Sequence, residues 1–319
     1  MSIVVISTGG TIAMRDSKVK AATPTLNSDN LIDSIPELPN NINIKTKDFS
    51  NIPSPHFSVG EMYKLWELIN KYNKDCSIDG IVVTQGTDIL EESSYFVDLC
   101  YDGDTPVIFT GAMRHSSSTS PDGPANLLTA ILTANNDEAR NRGVLVTLND
   151  CIYTAKEATK THTMNLDTFS SPEFGPVGTR DEKRIRWHRK NNTTPTAIPD
   201  LDLLTNNVHA IYITADMHPS TIPGPNECEA VVIGALGAGH IPPNIIGNIE
   251  ILSSNNIPLV ATTRCPQGRL AIDTYDYVGS EVTLRKLGYY YSDSNLQKAR
   301  IETIIGIASN QLKKFFTIP

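Results

Sequence analysis

The fold of this 319-residue chain is decided near its start, where residues 2–12 read Ser-Ile-Val-Val-Ile-Ser-Thr-Gly-Gly-Thr-Ile. The apolar half predicts a buried strand, and the glycine pair predicts a sharp turn that a ligand can approach closely. In a chain that alternates strands and helices, a hydroxyl just beyond a strand's carboxyl end lies where open α/β sheets bind ligands. Thr11 is therefore the first candidate for a chemical role, although Thr-Gly-Gly-Thr is also typical of an ordinary turn.

The chain continues with apolar runs of strand length that alternate with helical patterns. The runs cover residues 80–84, 106–110 and 143–147, and the helical patterns cover residues 60–73, 91–99 and 126–140. Strands that are apolar throughout are typical of a parallel sheet covered by helices on both faces, so the sequence predicts a doubly wound α/β fold. Turn residues at 181–183 predict a β-hairpin beyond this sheet.

The length of the chain favours two domains. An Asn-, Thr- and Pro-rich stretch over residues 189–205 predicts the linker between them. We therefore expect a larger N-terminal α/β domain at residues 1–188 and a smaller, flavodoxin-like α/β domain at residues 206–319.

Shorter patterns refine this expectation at both ends of the chain. In the second domain, strands are expected at residues 208–213, 230–233 and 259–262, and a helix at residues 245–254. The last helix is expected to begin near Ser294, with Gln297 completing a capping box. Residues 14–30 are polar and without an apolar period, which predicts a mobile loop that acts as a lid beside the first strand.

The composition excludes several classes of function. The formal net charge is −8, and because an acidic surface repels phosphate backbones and anionic lipid, nucleic acid and membranes are poor partners. The five cysteines are scattered, which predicts neither a disulfide framework nor a zinc site. No run reaches the roughly 20 apolar residues of a spanning helix. We expect no secretory leader, because the apolar run at residues 2–6 is too short for one. We expect a cytoplasmic protein, although a processed mature chain would look the same.

A second hydroxyl, that of Thr87, also follows a predicted strand and stands beside the carboxylate of Asp88. Lys160 is the cation of a segment, residues 158–163, that is otherwise rich in small hydroxylic residues. A threonine hydroxyl is a weak nucleophile, and its activation needs a neighbouring base or cation that a third group holds in place. Thr87, Lys160 and Asp88 therefore form a candidate catalytic cluster to accompany Thr11.

Six segments of the chain resemble those of the bacterial-type L-asparaginases, in the same order and at similar spacing. They are Thr-Gly-Gly-Thr-Ile at 8–12, Thr-Gln-Gly-Thr-Asp at 84–88, Gly-Ala-Met-Arg at 111–114, Asp-Gly-Pro at 122–124, Asn-Arg-Gly-Val-Leu-Val at 141–146 and Thr-Lys-Thr at 159–161. The pair of threonine motifs, each at a strand end, is highly specific. The resemblance extends over nearly the whole chain and is strongest in the first 165 residues.

The resemblance implies a hydrolase that converts asparagine to aspartate and ammonia. It implies two α/β domains, with active sites built between the subunits of a homodimer or homotetramer. Thr11 is then the residue that attacks the side-chain amide, and Thr87 is the second catalytic threonine, supported by Lys160 and Asp88. The implied partner is a small amino-acid substrate, and the implied chemistry uses no cofactor and no metal.

The resemblance also implies how the substrate is bound. Asp88 receives the substrate ammonium, and Ser54 holds the α-carboxylate. Glu281 is the candidate for the acidic residue that crosses the subunit interface. Backbone N–H groups near Gly10 and Ala112 are candidates for stabilising the oxyanion of a tetrahedral intermediate.

The chain departs from the resembled pattern at three places. It has no tyrosine between Thr11 and Leu31, where the family usually carries one close to the nucleophile. Pro55 stands where glutamine is common, and Gln85 stands where histidine is frequent. These departures keep two alternatives open: a glutaminase-asparaginase of relaxed specificity and a catalytically weak amino-acid-binding sensor. A third alternative is the amide-hydrolysing subunit of a tRNA-dependent amidotransferase, which would need an extension that docks its partner.

Overall fold

The computed structural model of the chain describes residues 2–16, 22–24, 27–35, 38–191, 194 and 196–316. The chain divides into two compact units, Met1–Thr196 and Ala197–Pro319. The predicted domain boundaries stay a prediction, and residues 192, 193 and 195 of the predicted linker lie outside the described residues. In the part of the chain that is described, every helix is too short or too polar to cross a membrane.

The first unit is built from short strands and helices in alternation. Its strands are β1 (Ser2–Gly9), β2 (Met14–Asp16), β3 (Ala22–Pro24), β4 (Asn43–Ile52), β5 (Gly80–Thr84), β6 (Val107–Thr110), β7 (Val144–Leu148), β8 (Cys151–Thr154), β9 (Thr159–Lys160), β10 (Phe169–Ser170), β11 (Gly178–Asp181) and β12 (Arg184–Trp187). Its α-helices are α1 (Ser28–Asp33), α2 (Val59–Asn73), α3 (Leu90–Cys100) and α4 (Gly123–Ala134).

Eight of these strands form one sheet in the order β12-β11-β8-β7-β6-β5-β1-β4. The five strands from β7 to β4 run parallel, and β8, β11 and β12 extend the sheet in antiparallel fashion. Ile3 and Val82 on one face share a core with α4, and Val4 and Val83 on the other face are buried as well. Since both faces are covered, the predicted doubly wound α/β fold is confirmed, with a mixed rather than wholly parallel sheet.

The predicted hairpin is also present, because β11 and β12 pair around residues 181–184. Two other predictions for this unit need correction. The predicted loop at 14–30 contains β2, β3 and the start of α1, while its residues 17–21 and 25–26 lie outside the described residues. The predicted helix at 126–140 begins earlier and ends at Ala134. A separate 3-10 turn follows, in which the Asn136 side chain accepts from the N–H of Glu138.

The second unit is a smaller parallel α/β structure, as predicted. Its strands β13 (Val208–Tyr212), β14 (Ala230–Ala235), β15 (Leu259–Thr263) and β16 (Tyr290–Tyr291) lie side by side in chain order. Its α-helices are α5 (Ile246–Ser254), α6 (Glu281–Lys286) and α7 (Leu296–Ala308).

The predicted capping box at the start of the last helix is wrong by one residue. Asn295 caps α7, since its side chain accepts from the backbone N–H of Lys298 at 3.1 Å. The Ser294 hydroxyl instead donates to the carboxylate of Glu302 at 2.7 Å. A buried carboxylate in the second turn of the helix thus binds the hydroxyl that the sequence pattern assigns to the cap.

Candidate active site

The candidate residues of the first unit gather at one edge of its sheet. Thr11 follows β1, Ser54 follows β4, and Thr87 follows β5. Ala112 follows β6, and these four strands are neighbours that run parallel. Because the carboxyl ends of parallel strands meet at the same edge, residues far apart in sequence share one face of the molecule.

Two glycines bring the threonine loops into contact. Gly10 has a φ of 81°, which favours glycine, and a Cβ atom placed on it would lie 2.2 Å from Cα of Gly86. A Cβ atom on Gly86 would in turn lie 2.6 Å from Oγ of Ser54. The backbones that precede Thr11 and Thr87 are therefore packed directly against each other, and the Ser54 side chain is packed against Gly86.

Lys160 joins the second threonine to its carboxylate. Its Nζ donates to Oγ1 of Thr87 at 2.9 Å and to Oδ1 of Asp88 at 2.7 Å. The Lys160 side chain is 16% exposed and that of Asp88 is 60% exposed. The lysine is therefore partly buried, whereas the carboxylate is open to solvent. The antiparallel pairing of Lys160 with Phe169 in β9 and β10 fixes the position of the lysine.

Asp88 does not cap the helix that follows it. The N-cap position of α3 is Ile89, which makes no side-chain cap bond. The carboxylate is thereby left to its ion pair and to the solvent. An ammonium brought by a ligand would find a negative group there already held in place.

Thr11 and Ser54 each lie in a short 3-10 turn just beyond a strand. The N–H of Ala13 donates to the carbonyl of Gly10 at 2.9 Å around Thr11, which is partly exposed. The N–H of Phe57 donates to the carbonyl of Ser54 at 3.0 Å, and the Ser54 residue is buried. Both hydroxyls are thus carried by backbone of defined conformation.

The loop that carries Ala112 is fixed by the side chains of Asp122 and Asn126. Asp122 accepts from the backbone N–H of Met113 and of Arg114, and the Asn126 amide donates to the carbonyl of Gly111. Ala112 is fully buried. That a backbone N–H group near Ala112 stabilises the oxyanion stays a prediction.

Glu281 lies in the second unit, and its side chain is fully buried there. Oε1 accepts from the backbone N–H groups of Thr274 and Tyr275 at 2.7 Å each, and Oε2 lies 3.5 Å from Nε2 of His240. Burial raises the pKa of this carboxyl, but the hydrogen bonds from the backbone N–H groups of Tyr275, Glu281 and Thr274, together with His240, outweigh burial and lower the pKa. In this unit Glu281 holds a loop in place, and its role in binding substrate stays a prediction.

The structure adds two residues that the sequence analysis did not select. His162 and Thr163 line a cavity of about 290 Å³ together with Asp88, Lys160 and Thr161. Closeness in sequence to Lys160 is the signal that could have found them. Within the described residues, no three His, Cys, Asp or Glu side chains are grouped so that they could hold a metal ion.

Comparison with protein families matches both units. Residues 2–193 match the model described as Asparaginase, N-terminal. Residues 207–314 match the model described as Glutaminase/Asparaginase C-terminal domain.

Individual proteins agree with this match over nearly the full length of the chain. L-asparaginase 2 of Escherichia coli is 32% identical, with 98% of this chain and 90% of that protein covered. A protein of Haemophilus influenzae named Probable L-asparaginase periplasmic is also 32% identical, covering 98% and 89%. The crystal structure of a probable cytoplasmic L-asparaginase from Campylobacter jejuni superposes with a TM-score of 0.84 at 30% identity, covering 98% and 99% of the two chains.

Proposed function

The chain belongs to the asparaginase family, and from this we propose that it hydrolyses the side-chain amide of L-asparagine to L-aspartate and ammonia. One observation carries the proposal beyond the family. A single lysine ammonium binds both the Thr87 hydroxyl and the Asp88 carboxylate, at the sheet edge that also carries Thr11. A hydroxyl held by a cation and a carboxylate can take up and return a proton beside a separate threonine nucleophile, the role proposed below for Thr11.

The proposed reaction begins with the hydroxyl of Thr11. Its Oγ1 forms a bond to the side-chain carbonyl carbon of asparagine and gives up its proton, and the amide C–N bond then breaks. The nitrogen takes up a proton and leaves as ammonia. Water attacks the resulting ester, which releases aspartate and restores Thr11. In the alternative route water attacks the amide directly, with the threonine hydroxyl assisting.

Thr87 and Lys160 are proposed to handle protons and charge. The ammonium of Lys160 donates to Oγ1 of Thr87, so the proton of that hydroxyl points away from the lysine. A cation at this distance favours the alkoxide form of the threonine, because the opposite charge stabilises it. Thr87 can therefore pass a proton to or from the reacting groups while Lys160 stabilises the charge that results.

Asp88 and Ser54 are proposed to select an amino-acid amide among other amides. The exposed part of the Asp88 carboxylate suits the α-ammonium of the substrate, since a charge-assisted hydrogen bond is about twice as strong as a neutral one. The Ser54 hydroxyl, held against Gly86, suits the α-carboxylate. A free α-ammonium is what distinguishes asparagine as a free amino acid from an asparagine residue within a peptide.

The proposal is tested by measuring ammonia release with a coupled assay over a panel of amides that includes asparagine and glutamine. We expect turnover of asparagine, and we expect Thr11→Ala and Thr87→Ala to abolish it while circular dichroism stays that of the folded protein. Lys71→Met, a change on the exposed side of α2, is the control. Full activity in either threonine variant would contradict the assignment.

The same assay decides the main alternative, a glutaminase-asparaginase of relaxed specificity. The description of the C-terminal family model names both activities, which keeps this alternative. Comparable values of kcat/KM for asparagine and glutamine would establish it. Binding of aspartate without ammonia release would instead favour a sensor.

We also propose that the active protein is a homodimer or homotetramer. Tyr275, Tyr277 and Val278 of the second unit expose 44%, 52% and 67% of their surface, and a contiguous apolar patch is typical of a surface that a partner covers. Light scattering on the purified chain gives the mass in solution. A monomer at assay concentrations would overturn this proposal.

A cytoplasmic location is proposed as well. The cysteines of the described residues are free, which suits a reducing compartment, and the structural neighbour is called cytoplasmic. The Haemophilus relative is named periplasmic, so cell fractionation must decide. Recovery of the enzyme in the periplasmic fraction would contradict the proposal.

A further inference from the structure

The last strand of the large sheet carries a run of cations that the proposed site does not use. Residues 183–190 read Lys-Arg-Ile-Arg-Trp-His-Arg-Lys, with five cations and no carboxylate, in a chain whose formal net charge is −8. The run includes β12, which is the outermost strand of the eight-stranded sheet. Positive charge is therefore concentrated along one sheet edge of an otherwise acidic chain.

Only part of this positive charge is balanced within the chain. Nη1 of Arg186 lies 3.4 Å from Oδ2 of Asp181, and Arg189 forms an ion pair with Glu157. The cations of the run that form no ion pair with a described residue are all exposed, and they are Lys183, Arg184 and Lys190. The edge therefore has positive charge to offer to an acidic partner.

The pairing with β11 fixes which main-chain groups of β12 face outward. The antiparallel register of the two strands continues to Val177 and His188, and the N–H of His188 donates to the carbonyl of Val177 at 2.8 Å. That pair is hydrogen-bonded, and hydrogen-bonded pairs alternate with non-hydrogen-bonded pairs in an antiparallel ladder. The N–H and C=O groups of Ile185 and Trp187 therefore point away from β11. In the ranges that the structure describes, no strand pairs with this outer side.

The side chains of β12 divide between two faces. Ile185 and Trp187 pack against the core of the sheet, and the guanidinium of Arg142 lies 4.0 Å from the centre of the Trp187 ring. Arg184 and Arg186 lie on the opposite face, because successive side chains of a strand alternate, and both are exposed. A strand added at this edge would thus meet apolar side chains on one face and cations on the other.

We propose that the outer edge of β12 binds an extended segment of another protein in which acidic and apolar residues alternate. Such a segment adds a strand to the sheet: its main chain bonds to Ile185 and Trp187, and its carboxylates lie beside Arg184 and Arg186. In this mode of recognition the main-chain hydrogen bonds give affinity, and the alternate side chains give specificity. The inference is independent of the proposed hydrolysis.

The same features argue against two other occupants. A second copy of β12 would bring arginines against arginines, and like charges destabilise paired strands. A nucleic acid would be held by the cations alone, without any need for an alternating pattern or for the outward N–H groups. The experiment must therefore distinguish an alternating peptide from a general polyanion.

The probe is a fluorescein-labelled peptide of alternating glutamate and valine, long enough to pair with the four residues of β12. Its binding to the full chain is measured by fluorescence anisotropy. A second peptide has the same composition but carries its glutamates and valines in two blocks, and a labelled oligothymidylate is the polyanion. We expect the alternating peptide to bind about fivefold or more tightly than the other two, because only it can satisfy both faces of the edge.

Charge reversal tests the side chains. Arg184→Glu changes an exposed cation and should weaken binding of the alternating peptide by about tenfold or more, as expected for a lost charge-assisted contact. Lys47→Glu is the matched control, since Lys47 is exposed on β4, the strand at the opposite edge of the same sheet. It makes the same change in net charge at a distance where salt screens the interaction, and should leave binding within about twofold.

Ile185→Pro tests the main chain. Proline removes the outward N–H of this residue but no hydrogen bond to β11, and proline is tolerated on edge strands. Ile185→Ala is the matched control, because it loses the apolar side chain and keeps the N–H. We expect Ile185→Pro to bind the alternating peptide about fivefold more weakly than Ile185→Ala, as for a lost hydrogen bond. Circular dichroism verifies that each variant is folded.

The proposal is overturned if the wild type does not bind the alternating peptide, or binds the block peptide equally well. Equal weakening by Arg184→Glu and Lys47→Glu would show that net charge alone is responsible, and would overturn it too. Equal binding by Ile185→Pro and Ile185→Ala would exclude strand addition. Oligothymidylate that binds as tightly as the alternating peptide would make the edge a general polyanion site, which also contradicts the proposal.

Discussion

Gly10 and Gly86 touch through their backbones, because a Cβ atom on Gly10 would lie only 2.2 Å from Cα and N of Gly86. Each glycine immediately precedes one of the two threonines of the candidate site. The distance between the threonine loops is thus set by main chain, which cannot give way as a long side chain can. A side chain at Gly10 must separate the two loops, and one at Gly86 must displace the Ser54 side chain.

We therefore expect Gly10→Ala to remove activity and to destabilise the first unit. The residue has a φ of 81°, so alanine adds left-handed strain to the overlap, together about 2–4 kcal/mol in the free energy of unfolding. Urea unfolding and the ammonia assay measure the two effects. Gly60→Ala in α2 is the matched control, since its Cβ atom would meet nothing closer than 3.8 Å. There alanine should stabilise by about 0.5–1 kcal/mol, and equal behaviour of the two variants would refute the argument.

The ion pair between Lys160 and Asp88 leads to a prediction about two kinetic constants. Lys160→Met removes the cation from Thr87 and should lower kcat by about 100- to 10,000-fold, the usual contribution of a positioned proton-transfer group. Asp88→Asn keeps the shape of the side chain but loses the negative charge, and should raise KM by about 10- to 100-fold through the weaker bond to the substrate ammonium. Steady-state kinetics separates these outcomes. A purely structural pair would change kcat and KM alike in both variants.

The sequence was sufficient to predict the strands that are apolar along their length and buried on both faces of the sheet. β1, β5, β6 and β7 are central and buried on both faces, so an unbroken apolar run is enough to identify them. β4 was missed because it is the edge strand: its burial pattern shows mostly exposed or half-buried residues, and no period of two survives. Its pairing with β1 is what makes it a strand, and pairing is not visible in a single segment.

The site shows the same limit. Lys160 and Asp88 are 72 residues apart in sequence, and only a motif suggested that they belong together. From the neighbouring residues alone, Asp88 could equally be the N-cap of α3, but Ile89 occupies that position. Burial of Glu281 depends on backbone N–H directions, which no residue pattern encodes.

The corrected start of α7 yields a stability prediction. Asn295→Ala removes the side-chain acceptor from the N–H of Lys298 and should lower the free energy of unfolding by about 1 kcal/mol. Ser294→Ala should destabilise for another reason, since a buried carboxylate loses a hydrogen bond that is worth about 1–3 kcal/mol. Double-mutant cycles with Glu302→Gln distinguish the two effects. The interaction energy between Glu302→Gln and Ser294→Ala should be large, and that between Glu302→Gln and Asn295→Ala should be smaller. Equal coupling would mean that the cap is not at Asn295.

Glu281 leads to a prediction about stability in acid. Its pKa is lowered in the folded chain, so the ionised carboxylate stabilises the fold above the ordinary pKa of glutamate, about 4.3. That stabilisation is lost as the pH falls through the lowered pKa, because the proton then binds the unfolded chain first. The free energy of unfolding of the wild type should therefore exceed that of Glu281→Gln at about pH 6, and the difference should shrink toward about pH 3. Glu250→Gln, on the exposed side of α5, is the matched control for the substitution itself. A constant difference between wild type and Glu281→Gln over this range would mean that the loop at Thr274 and Tyr275 does not depend on the charge.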